Sequence, residues 1–499
     1  MPDDPTQTPP VSPPAAPPPV PPPPESPPFP IQSAEQQSQP VPPPPIDQPP
    51  PTPPPGEPAQ APPVAEPFFK RFFPVIIGLI VVILLGLLVT KVILPRFRKA
   101  PEPDVVTLDY WGLWEPESIM AKIIEDYRQD HPNITVNYTR QSPKDYRDRL
   151  QSALARNEGP DIFRWHNTWL PMLKADLASV PENIYSPNEF DTTFYPIVRR
   201  DAFTNGNFYG IPLEFDALAL YVNQSIFAQN ADLKIPTTWD NLRSTAFKLA
   251  QKDAKGNLLV GGIALGTTNN VDHFSDILGL MILQNGGDPT KPDQTTVTSA
   301  LKFYTLFTTQ DGSWNEKLPN STLAFADEKV AMIFAPSWRA LEIKALNPEL
   351  NFRLYPVPQL PGTNITWATY WLEGVSKKSD SQAAAWDFLK YLSSKETLLK
   401  MHDLAGKERL FGEPYPRQDM TAAIQEDPFL GAIITQAVSA QSWPLADRTF
   451  DNGLNDRLIK YYQDAINSYL KNEPEKKITD TLSQGVSQVL SQYGLAANK

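Results

Sequence analysis

The chain has 499 residues, a formal net charge of -12, 58 prolines and no cysteine. Such an acidic chain has no long-range attraction for nucleic acid or polyanionic glycans, so neither is an expected partner. Without Cys there can be no disulfide framework, no thiolate metal site, no Cys nucleophile and no lipid anchor attached to a Cys.

The first segment, residues 1–66, is rich in proline. It holds about half of the prolines of the chain, no Lys or Arg, and few large apolar side chains. Because it cannot bury enough apolar surface to offset its conformational entropy, we expect a disordered tail of polyproline character. A spacer role is favoured, although proline runs such as residues 40–45 are also the kind of sequence that binds aromatic grooves of partner domains.

The next segment, from Phe72 to Thr90, is uncharged and dominated by Val, Ile and Leu. A helix of this length spans a hydrocarbon layer of about 30 Å, so we predict a single transmembrane helix at 72–94. A cleaved signal peptide is the competing interpretation, but the segment starts far from Met1, is too long, and is not followed by a small-residue cleavage site.

The orientation in the membrane is ambiguous from charge. Lys70 and Arg71 flank one side, and four basic residues between 91 and 99 flank the other, so the positive-inside rule places the larger cluster in the cytoplasm. Large domains are translocated largely regardless of local charge. We therefore expect a single-pass protein of the cell membrane, with its C-terminal domain extracellular and its Pro-rich tail cytoplasmic.

The remaining stretch of about 400 residues is too long for one core and predicts two domains. Apolar runs typical of strands, such as residues 105–111 and 330–334, alternate with segments of helical periodicity, such as Ser118–Gln129 and Ala383–Leu392. This alternation predicts an α/β fold with parallel sheets.

Several motifs in this part follow one another in a characteristic order. Residues 209–227 (YGIPLEFDALALYVNQSIF) predict a strand that ends at Pro212, a short run with two carboxylates, a second strand and a helix start, which is how a chain crosses between two lobes. The other motifs are WGLWE (111–115), GPDIF (159–163), PTTWDNL (236–242), FADEKVAMIFAPSW (325–338), WLEGVS (371–376) and AWDFL (385–389). In this order they resemble the family 1 extracellular solute-binding proteins, the ligand-capturing subunits of ABC importers.

The resemblance implies a two-lobe periplasmic-binding-protein-like fold of type II. Lobe 1 would comprise 104–213 and 370–427, and lobe 2 would comprise 216–368 and 428–499. Closure around a ligand would be a hinge motion at the crossings. The implied partners are a small-molecule ligand and ABC permease subunits; no cofactor or metal is expected, and the protein is expected to be a monomer. One departure from the family pattern is Glu328, where Gly is usual. The local turn can therefore differ from that of the family.

The expected ligand is a sugar, which presents hydroxyls to polar groups and C–H faces to aromatic rings. Glu214 and Asp216 are two residues apart and would share one side of an extended segment. By the resemblance, Asp216 is the acidic ligand contact and Trp338 the stacking aromatic. The remaining candidates come from the first ligand loop, the second-strand motif, the second crossing and a late loop: Trp111, Trp114, Glu115, Trp165, Trp169, Tyr370, Trp371 and Arg417.

The leading interpretation is a membrane-anchored receptor, not an enzyme, that captures a neutral sugar or oligosaccharide. Paired carboxylates also occur in glycosidases, but the four His residues are scattered and no nucleophile elbow or phosphate loop is present. A tethered sensor or adhesion receptor that signals through the Pro-rich tail is an alternative. A polyamine or other cation is the alternative ligand. Trp239 and Trp386 lie on helix-packing motifs and are expected in the core.

Overall fold

The computed structural model describes residues 69–88, 91 and 105–495, and the chain divides into two compact units, Met1–Arg98 and Lys99–Lys499. In the first unit the described residues form a helix, α1 (Phe69–Leu88), whose side chains from Ile77 onward are exposed. No helix among the described residues combines the length and apolarity needed to cross a membrane. The transmembrane role predicted for 72–94 is therefore not confirmed. The predicted tail (1–66) and part of that segment (89–90 and 92–94) lie outside the described residues.

The second unit is built from strands and helices in alternation. The strands are β1 (Val106–Gly112), β2 (Ile134–Arg140), β3 (Ile162–His166), β4 (Phe203–Thr204), β5 (Asn207–Phe208), β6 (Ile211–Pro212), β7 (Ala219–Asn223), β8 (Gln251–Lys252), β9 (Leu258–Val260), β10 (Met332–Ala335), β11 (Phe352–Tyr355), β12 (Thr366–Trp367), β13 (Trp371–Val375) and β14 (Ala440–Gln441).

The helices cover these sheets. They are α2 (Glu117–Asp130), α3 (Tyr146–Ala155), α4 (Leu170–Leu173), α5 (Pro187–Thr193), α6 (Pro196–Ala202), α7 (Gln224–Ala228), α8 (Trp239–Leu249), α9 (Phe274–Gln284), α10 (Thr295–Thr309), α11 (Ser321–Ala326), α12 (Arg339–Leu346), α13 (Gln382–Leu392), α14 (Lys395–Glu408), α15 (Thr421–Ile424), α16 (Gly431–Gln436), α17 (Leu454–Leu470) and α18 (Glu475–Gln492).

The larger sheet has five strands in the order β2-β1-β3-β13-β6. Strand β1 runs parallel to β2, with Val106 opposite Ile134, and parallel to β3. Strand β13 runs antiparallel to both β3 and β6. All five residues of β3 are buried, as expected for a central strand with both faces covered. This sheet is therefore mixed rather than parallel.

The smaller sheet has three strands in the order β10-β7-β11, and both pairings are antiparallel. The central strand β7 is buried along its whole length. The prediction of parallel sheets is wrong for this sheet and incomplete for the larger one. Alternating strands and helices do not specify direction, because the long helical connections between β7, β10 and β11 allow the chain to return either way.

The chain passes between the two sheets at adjacent places. After β6, residues 213–218 lead into β7, and after β12, residues 368–370 lead into β13. The two connections lie side by side, because Ala217 pairs with Ala368 in an antiparallel bridge and the Thr369 amide donates to the Asp216 carbonyl at 3.0 Å. A pair of adjacent extended connections is a suitable hinge.

The helices agree with the sequence patterns. The segments predicted at 118–129 and 383–392 form α2 and α13. Helix α8 begins at Trp239, because the Thr238 hydroxyl accepts a hydrogen bond from the Asn241 amide at 3.3 Å and so satisfies one free N–H of the first turn. Trp239 and Trp386 are both buried, which confirms their predicted place in the core.

The turn before β10 keeps a glycine-like conformation although its residue is Glu328. Its φ is +57°, in the left-handed region that L-residues other than Gly rarely adopt. Asn223 donates to its carboxylate at 3.3 Å. The backbone path is thus maintained with local strain.

Candidate ligand-binding site

A cavity of about 460 Å³ lies where the strand ends of the two sheets meet. Residues that follow β1 and β2, or belong to β3 and β13, line it from the side of the larger sheet, and residues that follow β10 line it from the side of the smaller sheet. The lining residues are Trp114, Arg140, Pro143, His166, Glu214, Asp216, His273, Pro336, Trp338, Arg339, Leu341, Glu342, Thr369, Trp371, Arg409, Glu413, Asp447, Arg448 and Phe450.

Aromatic rings form part of both walls. Trp114 and Trp371 are half-buried on the larger-sheet side, with their ring centres 5.6 Å apart in an edge-to-face contact. On the smaller-sheet side, Trp338 is 36% exposed, and Phe450, on the loop after β14, is 43% exposed. Exposed rings in a concave site offer apolar faces on which the C–H faces of a ligand can stack.

Asp216 belongs to the first connection and holds the loop that carries Trp338. Its carboxylate accepts hydrogen bonds from the Ser337 amide (3.0 Å), the Ser337 hydroxyl (2.8 Å) and the Ala217 amide (2.7 Å). Burial raises its pKa to about 7, although these hydrogen bonds favour the ionised form. Most of the bonding capacity of Asp216 is therefore used inside the protein.

Glu214 lies beside a second carboxyl group, Glu413, in the cavity wall. Burial raises the pKa of Glu214 well above its usual range, and the neighbouring Glu413 adds to this. Burial also opposes ionisation of Glu413, but its pKa is lowered by the charge and hydrogen bond of Arg409, 2.5 Å away, and by a hydrogen bond from Glu214. The surroundings therefore favour ionisation of Glu413 and oppose ionisation of Glu214.

Among the described residues, one group has the composition of a metal site: His273, Asp276 and Asp447, whose ligand atoms lie within 4.8 Å of one another. A metal would need the lone pair of His273 Nδ1, which is 3.0 Å from Asp276 Oδ2. However, His273 Nε2 lies 3.0 Å from Arg339 Nε, a permanent donor, so Nε2 must accept and Nδ1 must carry the proton. The hydrogen-bond arrangement does not fit a metal ligand at Nδ1.

His166 is a neutral member of the cavity wall. Its two ring nitrogens lie 2.8 Å from the Thr168 hydroxyl and 3.1 Å from the Thr369 hydroxyl. Burial lowers its pKa to about 3. It contributes hydrogen-bonding capacity without charge.

Glu115, a predicted ligand contact, instead belongs to a buried ion network behind the cavity. Arg164 pairs with Glu115 at 2.8 Å and with Glu373 at 2.5 Å, and all three side chains are buried. Burial raises the pKa of Glu373 to about 7 against the opposing charge of Arg164. The network joins strands β3 and β13 to the loop after β1.

The structure brings together five of the predicted site residues and places the others elsewhere. Those at the cavity are Trp114, Glu214, Asp216, Trp338 and Trp371. The others do not line the cavity. Trp111 lies in β1, Glu115 follows it, and Trp165 and Trp169 are buried. Tyr370 is buried and donates to Asp201 at 2.9 Å, and Arg417 pairs with Asp419 at 3.0 Å. Trp169 supports the site indirectly, because its ring meets Trp371 at 5.1 Å.

Sequence reasoning missed the cavity residues that come from outside the motifs. The charged or aromatic members of this group are Arg140, His273, Arg339, Glu342, Arg409, Glu413, Asp447, Arg448 and Phe450. Only Arg339 and Glu342 carried a usable signal, because they directly follow the motif that ends at Trp338. Apart from Arg140, which ends β2, the rest lie on connections whose position depends on how the two sheets meet.

Comparisons with known proteins agree with this architecture. Residues 113–398 match the family model described as "Bacterial extracellular solute-binding protein". The "Multiple sugar-binding protein" of Streptococcus mutans is 23% identical over 344 residues, which cover 65% of this chain and 80% of that protein.

Solved structures with the same fold include a cyclo/maltodextrin-binding protein complexed with maltotetraose (TM-score 0.63, 15% identity, 78% of this chain and 99% of that chain). Another is the sugar-binding protein MalE from Xanthomonas citri (TM-score 0.64, 18% identity, 78% of this chain and 98% of that chain). These likenesses show the two-lobe fold. Because the family model spans more than half of the chain, this protein belongs to the bacterial extracellular solute-binding protein family and is a binding protein rather than an enzyme.

Proposed function

We propose that the chain is an extracellular receptor that captures a neutral sugar or oligosaccharide and delivers it to an ABC importer. The observation that carries the proposal is the cavity, which has Trp114 and Trp371 on one wall and Trp338 on the other, with polar side chains between them. A sugar presents hydroxyl groups around its edge and C–H groups on its faces, so it is bound by this combination of side chains.

The names of similar proteins support the same ligand class. The Streptococcus mutans relative is named for multiple sugars, and the structural neighbours include proteins solved with maltotetraose and with cycloalternan. These names concern those proteins. For this chain they favour a saccharide over the alternative of a polyamine or other cation.

The charges of the cavity favour a neutral ligand. Three of the four arginines in the lining face a carboxylate of the protein, whereas the fourth, Arg140, donates through Nε to the Leu113 carbonyl at 3.1 Å. The pairs are Arg409 with Glu413, Arg339 with Glu342 and Arg448 with Asp272. Because these three charges are compensated inside the protein, a charged ligand that paired with Arg409, Arg339 or Arg448 would have to disrupt an existing ion pair.

Capture would proceed by hinge closure at the two connections between the sheets, with lobe boundaries near 213–216 and 368–370. Anchoring through 72–94 remains part of the proposal. It is supported by the apolar sequence of that segment and by the exposure of the apolar side chains from Ile77 to Leu88. Membrane fractionation of cells that express the whole chain, compared with a chain lacking residues 72–94, tests the anchor.

Thermal unfolding of the purified whole chain tests the ligand class. The panel would contain malto-, manno- and isomalto-oligosaccharides, amino acids and spermidine. A ligand at about a thousand times its Kd stabilises the folded state by about 4 kcal/mol. A shift with a saccharide only is the expected result. A rise in the unfolding temperature with spermidine or an amino acid only would overturn the ligand class. No rise with any compound of the panel would count against the receptor function.

A further inference from the structure

We propose that Asp276 and His273 are positioning residues that fix Arg339 against Trp338, and so set the orientation of the aromatic wall of the cavity. The proposal deepens the proposed function and rests on it for the role of Trp338 in ligand binding. Neither Asp276 nor His273 belongs to a motif recognised in the sequence, and both are buried.

The three polar side chains form a continuous hydrogen-bonded chain. Asp276 Oδ2 lies 3.0 Å from His273 Nδ1, and His273 Nε2 lies 3.0 Å from Arg339 Nε. A carboxylate only accepts and a guanidinium only donates, so the residue between them must donate at one end and accept at the other. A neutral imidazole meets this requirement, which determines which ring nitrogen carries the proton.

Arg339 and His273 both contact the ring of Trp338. The guanidinium carbon lies over the ring at 4.3 Å from its centre, and the imidazole meets it edge to face at 5.5 Å. Arg339 is itself buried, so it stabilises the ring by a desolvated cation–π contact. The part of Trp338 that remains exposed faces the cavity.

The other oxygen of Asp276 attaches the chain to two further parts of the fold. Oδ1 accepts a hydrogen bond from Trp367 Nε1 at 2.9 Å and from the Asp447 amide at 3.1 Å. Trp367 ends β12, directly before the second connection between the sheets, and Asp447 lines the cavity. Burial and the neighbouring Asp447 carboxylate raise the pKa of Asp276, whereas the N–H donors of Trp367 and Asp447 lower it. Asp276 thus joins the Trp338 wall to the hinge side of the site.

The backbone of His273 shows that the arrangement is maintained against a local cost. Its φ is +61°, a left-handed conformation that is uncommon outside Gly, although Asn, Asp and His adopt it more often than other residues. A hydrogen bond stabilises this backbone conformation, because the His273 amide donates to the Asp447 carboxylate at 3.1 Å. Unfavourable backbone conformations are found in binding sites where the surrounding structure fixes the side chains before the ligand binds.

The first test uses His273→Asn. Asn tolerates the positive φ, and its amide nitrogen occupies the place of Nδ1 and can still donate to Asp276, but it has no atom that reaches Arg339. We expect about tenfold weaker binding of the saccharide that gives the largest thermal shift in the panel, measured by calorimetry. His273→Gln, whose side-chain end occupies the place of Nε2, should restore part of the loss. His131→Asn, at a half-exposed site outside the cavity, is the matched control and should bind like the wild type.

A second readout needs no ligand. In protein labelled with 5-fluorotryptophan, the Trp338 resonance, assigned with Trp338→Phe, should be shifted or broadened by His273→Asn and unaffected by His131→Asn. Arg339→Lys keeps the charge but loses the Nε donor, so it should change the same resonance. An unchanged resonance and unchanged affinity in His273→Asn and Arg339→Lys would overturn the proposal.

The two readouts separate this inference from the proposed function. If no saccharide binds the wild type, the receptor proposal fails, whereas the fluorine resonance still decides whether His273 positions Trp338. If saccharide binds and depends on Trp338 but not on His273, only the positioning role is wrong. If His273→Asn fails to fold, the resonance and affinity of Arg339→Lys decide the question.

Discussion

Asp216 binds both the backbone amide and the hydroxyl of Ser337, at 3.0 and 2.8 Å, and so connects the first crossing between the sheets to the loop that carries Trp338. The two residues are 121 positions apart in the chain. The carboxylate predicted as the main ligand contact therefore also has a structural role. It orders the aromatic wall and leaves little free capacity for a ligand.

We expect Asp216→Ala to destabilise the protein by about 2 kcal/mol, because the buried amides of Ser337 and Ala217 lose their acceptor. Denaturant unfolding of wild type and variant measures this change. Asp216→Asn is the matched control, since its amide oxygen can still accept from the backbone. A loss of affinity in Asp216→Ala without a loss of stability would instead indicate a direct ligand contact.

The pH dependence of stability should reflect the raised pKa of Asp216. In the folded state this pKa is about 7, above that of an unfolded Asp, so the folded protein retains a proton that the unfolded chain has lost. Its contribution is complete below about pH 4 and is lost as the pH rises through about 7. The stability of Asp216→Asn relative to wild type should therefore rise across this range. A constant difference would show that the pKa is not raised.

Trp338→Ala should weaken saccharide binding by about ten- to a hundredfold, because the ligand loses an aromatic stacking face. The free energy of unfolding should also fall, by about 1–2 kcal/mol, because the covered part of the ring loses its contacts with Arg339 and His273. Calorimetric titration measures the affinity. Phe247→Ala is the control: this ring is 61% exposed on α8 and does not line the cavity. Equal effects of the two changes would contradict the assigned role.

Glu328→Gly should raise the free energy of unfolding by up to about 1 kcal/mol, because Gly adopts φ of +57° without steric strain. Loss of the weak hydrogen bond from Asn223 offsets part of the gain. Thermal and denaturant unfolding check the expectation. Asp327→Gly, at a neighbouring position with φ of -81°, should give no gain. Destabilisation by Glu328→Gly would show that the side-chain contact outweighs the backbone strain.

Arg164→Leu should destabilise the protein by about 3–5 kcal/mol, because it leaves Glu115 and Glu373 buried without their cation. Adding Glu115→Gln should restore part of the stability, since it removes one uncompensated charge. Denaturant unfolding of the three proteins tests this coupling. Independent, additive effects would mean that the network does not act as a unit.

The sequence determined the features that depend on local pattern. Helix positions such as α2 and the burial of Trp239 and Trp386 follow from periodicity and helix-packing motifs, and the structure confirms them. The ordered motifs also identified the family, which the family model confirms.

Only the tertiary structure showed the direction of the strands and which side chains face the cavity. Trp165 lies in a strand buried on both faces, so alternation along the strand could not reveal whether it faces the cavity. Glu115 carried the signal of a ligand contact but is neutralised by Arg164, from a strand almost fifty residues later.

Some residues of the cavity were predictable from local motifs, whereas others were placed there only by the tertiary structure. Glu214, Asp216 and Trp338 were predictable because they belong to the crossing and the loop that the motifs mark. Glu413 and His273 were not, because they come from distant connections that carry no periodic pattern. Local sequence determines which backbone segments form, through hydrogen bonding and periodic burial, whereas the packing of the two sheets decides which of their side chains meet.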